Sequence, residues 1–229
     1  MLPAVVLAAG LGTRLRPLTE RFAKPLLPID GRPVLALLLR ELAAAGCRDV
    51  TIVVGHLAVQ VERLAGDGAA FGVEIRYALQ RRPDGSADAV VAAGATAPYL
   101  VLGADTVFAS GDLGRFATAF EAGGAAGAVA VQKRRPRHGG AGIRVSRGFV
   151  ERVVAQDGEH VAAPLWGVGT ELARRVDALP GRAPFELATA FQQAIDAGER
   201  VAGIEIGPTR GLTTPFDLLE ENFPYLRNL

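Results

Sequence analysis

The stretch from Ala4 to Arg14 most narrows what this chain can fold into. Ala4-Val5-Val6-Leu7 is apolar without a break and runs directly into Ala8-Ala9-Gly10-Leu11-Gly12-Thr13-Arg14. A strand with no polar alternation is one covered on both faces, which points to a parallel sheet with helices above and below. Small residues straight after such a strand leave backbone N–H groups uncovered where the chain turns, and that is a place to hold phosphate. A loop wrapped closely round a polyanion needs glycine for positive φ and for its missing Cβ, and it needs fixed cations against the charge. Gly10, Gly12, Arg14 and Lys24 supply both. No Lys-Ser/Thr pair follows the glycines, so this is not a P-loop, and Leu15 stands where a dinucleotide fingerprint has its third glycine. A different phosphate loop is required.

Downstream, strand and helix signals alternate. Apolar spacing predicts a helix over about 33–45, closed by Gly46, then a strand over 50–54, a helix over 58–64 and a strand over 73–79. Further strands are expected at 99–103, 128–132 and 201–206, helices at 113–122, 171–179 and 185–197, and an antiparallel hairpin at 142–145 and 149–154. This β-α-β-α-β rhythm predicts an α/β fold, a Rossmann-like, doubly wound, mostly parallel but mixed sheet flanked by helices. The 229 residues suit one domain, 1–229.

Charge excludes some partners. Twenty-five basic residues face 24 acidic ones, a net of +1, so no global field attracts nucleic acid or an anionic membrane, and an anion site must be local. The basic run Lys133-Arg134-Arg135-Pro136-Arg137-His138 has no interleaved aromatics and reads as a solvated loop or a cationic rim near phosphates. A single Cys47, with no signal peptide and no run of eighteen apolar residues, makes the cytoplasm the default expectation.

The run LAAGLGTRLRPLTERFAKPLLPI, residues 7–29, resembles the N-terminal signature of the sugar-phosphate nucleotidyltransferases, and the likeness extends over nearly the whole chain. It is strongest over 4–30 and 66–106, and the stretch 66–89 looks especially like the thymidylyl and uridylyl members that act on glucose 1-phosphate. The resemblance implies the fold of nucleotide-diphospho-sugar transferases, with a donor-binding half over about 1–110 and an acceptor-binding half over about 111–229. It implies that Leu7, Ala8, Ala9, Gly10, Leu11, Gly12, Thr13 and Arg14 hold the nucleotide, that Gln80 bonds the base edge, and that Pro83 and Gly85 let backbone approach it. Catalytic roles fall to Arg14 on the leaving phosphates, Lys24 between the α-phosphate and the acceptor, and Asp105. Mg²⁺ takes hard oxygen ligands, and Asp105, a carboxylate at the end of the strand 99–103, is placed to be one. Acceptor contacts are implied at Gly142, Trp166 and Gly167, although a lone Trp also serves as core.

Two departures from the family pattern bear on the acceptor. Ala155-Gln156-Asp157-Gly158 stands where relatives carry Glu-Lys-Pro, and Gly211 stands where a second metal-binding Asp belongs. Asp217 reads as a helix cap. The partners implied are a nucleoside triphosphate, with dTTP or UTP favoured, and a phosphorylated sugar or sugar-like acceptor; apolar helix faces leave room for a homo-oligomer. Two alternatives stay open. One is cytidylyl or guanylyl transfer to a phosphonate, phosphocholine-like or pseudo-sugar phosphate. The other is a nucleotide-binding regulatory homologue with weakened catalysis.

Overall fold

The protein is described here by a computed structural model, which covers residues 1–134, 142–155 and 158–223. Most of the basic run around His138, and the pair Gln156-Asp157 of the expected acceptor element, lie outside the described residues.

The elements follow the expected rhythm. The first half holds β1 (Ala4–Leu7), α1 (Leu18–Arg21), β2 (Pro28–Ile29), β3 (Arg32–Pro33), α2 (Val34–Ala44) and β4 (Asp49–Val54), then α3 (Ala58–Ala65), β5 (Glu74–Leu79), α4 (Ser86–Ala93), β6 (Tyr99–Gly103) and β7 (Thr106–Val107). The second half holds α5 (Asp112–Gly123), β8 (Gly127–Lys133), β9 (Gly142–Ser146), β10 (Phe149–Ala155), β11 (His160–Val168) and α6 (Thr170–Asp177), then α7 (Leu187–Asp196), β12 (Val201–Glu205), β13 (Arg210–Gly211) and α8 (Pro215–Asn222). Nine strands form one sheet in the order β5-β4-β1-β6-β11-β8-β12-β10-β9. The pairs β5–β4, β4–β1, β1–β6 and β8–β12 are parallel, whereas β11 runs antiparallel to both β6 and β8, and β10 antiparallel to β12 and β9. Seven of the nine strands therefore run in one direction, with β11 and β10 reversed, a mixed and mostly parallel sheet as the sequence implies.

The apolar run of β1 sits between β4 and β6, and its side chains serve both faces. Ala4 and Val6 join Ile52, Leu100 and Leu102 under α2 and α5, where Leu35, Leu38, Leu42 and Phe116 are buried. Val5 joins Val53, Val101 and Val129 on the opposite face, under α4, α6 and α7. With side chains pointing alternately up and down, two cores leave no position for a polar residue, which is why the strand shows no alternation.

A third, small cluster matters more for the site. Leu15, Leu27, Ile29, Val34 and Leu212 are buried together below the first loop. Leu15 is the residue after Arg14, so burying it fixes the end of the loop and leaves Arg14 exposed. Leu212 comes from the far end of the chain, which therefore closes onto the N-terminal loop through apolar contact.

Three details differ from the sequence-based expectation. The helix expected from 33 begins at Val34, because Pro33 pairs with Pro28 in a two-residue ribbon. The helix expected from Phe185 begins at Leu187, because Phe185 and Glu186 are extended and bonded to the turn before α4. The stretch 164–169, which resembles a strand of the family, belongs to a longer strand that already starts at His160, pairing with β8 on either side of an irregularity between Ala162 and Trp166.

Candidate active site

The loop after β1 ends in a left-handed turn at Gly12, with φ 62° and ψ 34°. Thr19 donates its hydroxyl to the Gly12 carbonyl at 2.9 Å, and a Cβ at position 12 would stand 2.8 Å from Thr19 Cγ2. Here glycine is required twice, by φ and by contact. Thr19 is itself held, since its carbonyl lies 2.8 Å from His56 Nε2. Gln60 continues this seam: its Nε2 donates to Arg21 O at 2.7 Å and its Oε1 accepts from Ala23 N at 2.8 Å. The start of α3 thus clamps residues 19–23 and, through Thr19, the loop. No acceptor among the described residues takes the backbone N–H groups of Gly10 to Thr13, so these donors are available to an anion.

One cleft collects most of the expected residues. Leu7, Ala8, Gly10, Gly12, Thr13, Arg14, Lys24, Ala104 and Asp105 line it, with Thr213 arriving from the far end of the chain. Lys24 Nζ and the Asp105 carboxylate meet across its floor as a half-buried ion pair. Asp105 Oδ1 also accepts the Thr106 hydroxyl at 3.2 Å. A point charge and a carboxylate sit together where the loop donors converge. Thr213 carries no sequence signal of its own; it lines the cleft because β13 pairs with β7, Gly211 opposite Thr106, while Leu212 is buried in the small cluster.

A second cleft lies on the other side of the same loop, lined by Ala9, Leu11, Gly55, His56, Leu79, Gln80, Arg81 and Pro83. The two together make a groove astride Ala9 to Gly12 at the C-terminal ends of β1, β4 and β5, where ligands of open α/β sheets sit. Gln80 is buried, and its Nε2 donates to Gly85 O at 2.9 Å and to Asp88 Oδ2 at 2.8 Å. Gly85 does not line this cleft. Its φ is 109°, and a Cβ there would lie 2.3 Å from Phe185 O, so what approaches Gly85 is the chain before α7. Phe185 N donates to Asp84 O at 2.6 Å, Ala87 N to Phe185 O at 2.8 Å, and Ser86 Oγ bonds Glu186 at 2.6 Å. The C-terminal half thereby holds the turn that carries Gln80's anchors.

The three expected acceptor residues are not part of these clefts. Gly142 is buried, with Gly158 backbone 2.6 Å from where its Cβ would be. Gly167 is buried against the Phe120 ring, 2.6 Å from its missing Cβ, so close packing accounts for both glycines. Trp166 is half-buried and meets Phe191 of α7 edge to face, ring centroids 4.7 Å apart. Asp217 closes a capping box with Thr214 at the start of α8. Arg210 fastens that helix to the β2–β3 ribbon through Asp30 and Glu221, and its hydrogen bond to Asp30 raises its pKa despite partial burial.

As for a metal, Mg²⁺ is commonly held by one or two carboxylates plus substrate phosphates and water. Among the described residues no cluster of three or more His, Cys, Asp or Glu could hold an ion by itself. The donor set here, Asp105 with the Thr106 hydroxyl beside it, fits an ion completed by substrate oxygens and not one held by protein alone. At Gly211 a Cβ would lie 3.4 Å from Asp105 O, so that position adjoins Asp105 but brings no carboxylate.

Residues 3–146 match the family model described as nucleotidyl transferase. The chain belongs to the nucleotidyl transferase family. A glucose-1-phosphate thymidylyltransferase of Streptomyces antibioticus is 51% identical over 90 residues, which are 39% of this chain and 25% of that protein. A CMP-5'-(3-aminopropyl)phosphonate synthase of Streptomyces rubellomurinus is 50% identical over 80 residues, 35% of this chain and 13% of that one. The matched stretch is thus a quarter or less of either relative. In fold, a Bacillus anthracis chain assigned as a glucose-1-phosphate thymidylyltransferase and solved with sucrose superposes with a TM-score of 0.88 over 100% of this chain and 96% of its own, at 18% identity. This likeness in fold covers the whole chain, beyond the stretch the family model matches.

Proposed function

We propose that the chain transfers a nucleotidyl group from a nucleoside triphosphate, dTTP or UTP, to a sugar 1-phosphate, releasing pyrophosphate. The observation that carries this is the convergence, in one cleft, of the free loop N–H groups, Arg14, Lys24 and Asp105. A phosphate oxygen of the acceptor attacks the α-phosphorus, and the bond from that phosphorus to the β-phosphate oxygen breaks. The nucleophile is already an anion near neutral pH, so no general base is needed. What remains for the protein is alignment and neutralisation of charge.

In this reading the loop N–H groups of Leu11 to Thr13 cradle the phosphates. Arg14, exposed at the rim, presents a planar fork to the leaving pyrophosphate. Lys24, fixed by Asp105, offers its ammonium where the α-phosphate and the acceptor phosphate meet. Asp105 would hold Mg²⁺, which supplies charge neutralisation on substrate oxygens when bound. Gln80 faces the base from the neighbouring cleft. Trp166, edge to face on Phe191, is the acceptor-side residue kept from the resemblance, while Gly142 and Gly167 serve close packing.

A second reading, cytidylyl transfer to a phosphonate-like acceptor, is favoured by one observation, the 50% identity to a CMP-phosphonate synthase over 80 residues. One experiment separates these readings. Each of dTTP, UTP and CTP is mixed with the protein, Mg²⁺ and either glucose 1-phosphate or an aminoalkylphosphonate, and pyrophosphate release is followed. Release with dTTP or UTP and the sugar phosphate supports the proposal; release only with CTP and the phosphonate replaces it. Tight triphosphate binding with no release for any pair would leave a nucleotide-binding regulator.

A further inference from the structure

We infer that Asp88, on the first turn of α4, is the residue that sets which base the groove accepts, by locking the Gln80 amide so that only its carbonyl oxygen is offered to the ligand. The inference rests on the reading that Gln80 faces the base.

Gln80 is anchored at both ends. Its backbone N–H is bonded to Val54 O at 2.9 Å at the end of β5, and its side chain is buried under the 83–88 turn. Its terminal amide has two faces of opposite character: an oxygen that accepts and an NH₂ that donates. In a free side chain the two exchange places by a half-turn of the last torsion. Here one atom of the amide lies 2.9 Å from a backbone carbonyl, Gly85 O, and 2.8 Å from a carboxylate oxygen, Asp88 Oδ2. Both neighbours are acceptors, so only the NH₂ satisfies them. Turning the amide over would set oxygen against two oxygens, one of them charged, and would lose a charge-assisted bond. Gly85 O alone gives a neutral bond and a modest preference; the carboxylate makes the preference strong. Asp88 can act this way because it projects from α4 one turn after Gly85, and Phe185 fixes that turn by occupying the space a Cβ at 85 would take.

The consequence is chemical selection among pyrimidines. Thymine and uracil carry N3–H, a donor. Cytosine carries a bare N3, an acceptor, in the same place. A locked oxygen at Gln80 pairs with the first two and opposes the third, whereas a freely turning amide could serve either. Asp88 does not touch substrate in this account; it is a positioning residue, and its signature is a change in discrimination between bases and not a general loss of binding.

The test is equilibrium binding of dTTP, UTP and CTP, each with Mg²⁺, measured by calorimetry, so it needs no turnover. Cytosine would leave the Gln80 oxygen unpaired, so the wild-type protein should bind dTTP or UTP on the order of tenfold more tightly than CTP. Asp88→Ala removes the charged anchor, and Asp88→Asn can present its own NH₂ to Gln80; both should bring that ratio close to one, with Asn the lower. Each variant is its own control, because both ligands are measured on the same protein. A wild-type preference for CTP overturns the inference while leaving nucleotidyl transfer as the proposed reaction. It is also overturned if the variants weaken all three triphosphates by one common factor. A wild-type preference for dTTP or UTP that both variants lose, with no pyrophosphate release from any pair, leaves the inference standing and removes the catalytic reading instead.

Discussion

Replacing Gly12 by alanine tests how the phosphate loop is held. The substitution carries two separable costs. At φ 62° an alanine sits in the left-handed region, which costs about 1–2 kcal/mol for a residue with a Cβ. The new Cβ would also stand 2.8 Å from Thr19 Cγ2, closer than a relaxed contact allows, and a tight 3.2 Å from Thr19 Cβ. Thr19 cannot swing away without giving up its hydroxyl bond to Gly12 O, so the overpacking costs about 1–3 kcal/mol. The strain falls on the loop, because Gly12 belongs to neither main core. The loop then spends less time in its binding geometry, and triphosphate affinity should fall by roughly 30-fold or more for a total of about 2 kcal/mol or above. Thr19→Ser separates the parts. Serine keeps the hydroxyl and removes Cγ2, so the double variant should recover several-fold in affinity while the φ cost remains. Isothermal titration with dTTP and Mg²⁺ reads all four proteins. Wild-type affinity in Gly12→Ala, or no recovery on adding Thr19→Ser, would refute the argument from contact.

Arg14→Ala and Lys24→Ala should each lower kcat/KM on the order of 10² in a pyrophosphate-release assay, because each removes one preorganised charge from the cleft. Gly211→Asp should be accepted without a clash, its Cβ in ordinary contact with Asp105 O and Thr106 Oγ1, and should reduce the Mg²⁺ concentration that gives half-maximal rate; an unchanged requirement would show that position 211 does not address the ion. Asp112→Ala should destabilise the fold by about 2 kcal/mol, seen as a fall of several degrees in Tm. The wild-type carboxylate there is fully buried and accepts from Gly207 N at 3.0 Å, and the turn it holds leads to β13 and Thr213.

Much of this was legible in the sequence for physical reasons. The unbroken apolar β1 could only be a strand covered on both faces, and its neighbours follow because helical and strand spacing alternate cleanly up to Gly103. The loop glycines and Lys24 were readable because phosphate demands those residue types together. What escaped was what depends on remote partners. Pairs such as β2–β3 and β7–β13 are two residues long and carry no periodicity, yet β13 is what places Thr213 in the cleft. In the sequence Gly85 reads as making room for a base, but the space its hydrogen leaves is filled by Phe185, a hundred residues away. The resemblance implies an acceptor contact at Gly167, and Phe120 occupies that space. A glycine announces that something comes close; it does not say what. The Asp88 anchor was equally hidden, since an Asp in the first turn of a helix reads as an ordinary partner for the helix dipole.

Nucleotidyl transfer is proposed to take place in the cleft that joins the Gly10–Arg14 loop to Lys24 and Asp105. The most direct measurement is the initial rate of sugar-nucleotide formation from dTTP and glucose 1-phosphate with Mg²⁺, product and pyrophosphate quantified together, for the wild-type protein and for Asp105→Asn. The wild type should give equimolar sugar nucleotide and pyrophosphate, and the variant a rate on the order of 10² lower. Equal rates in the two proteins would contradict that proposal.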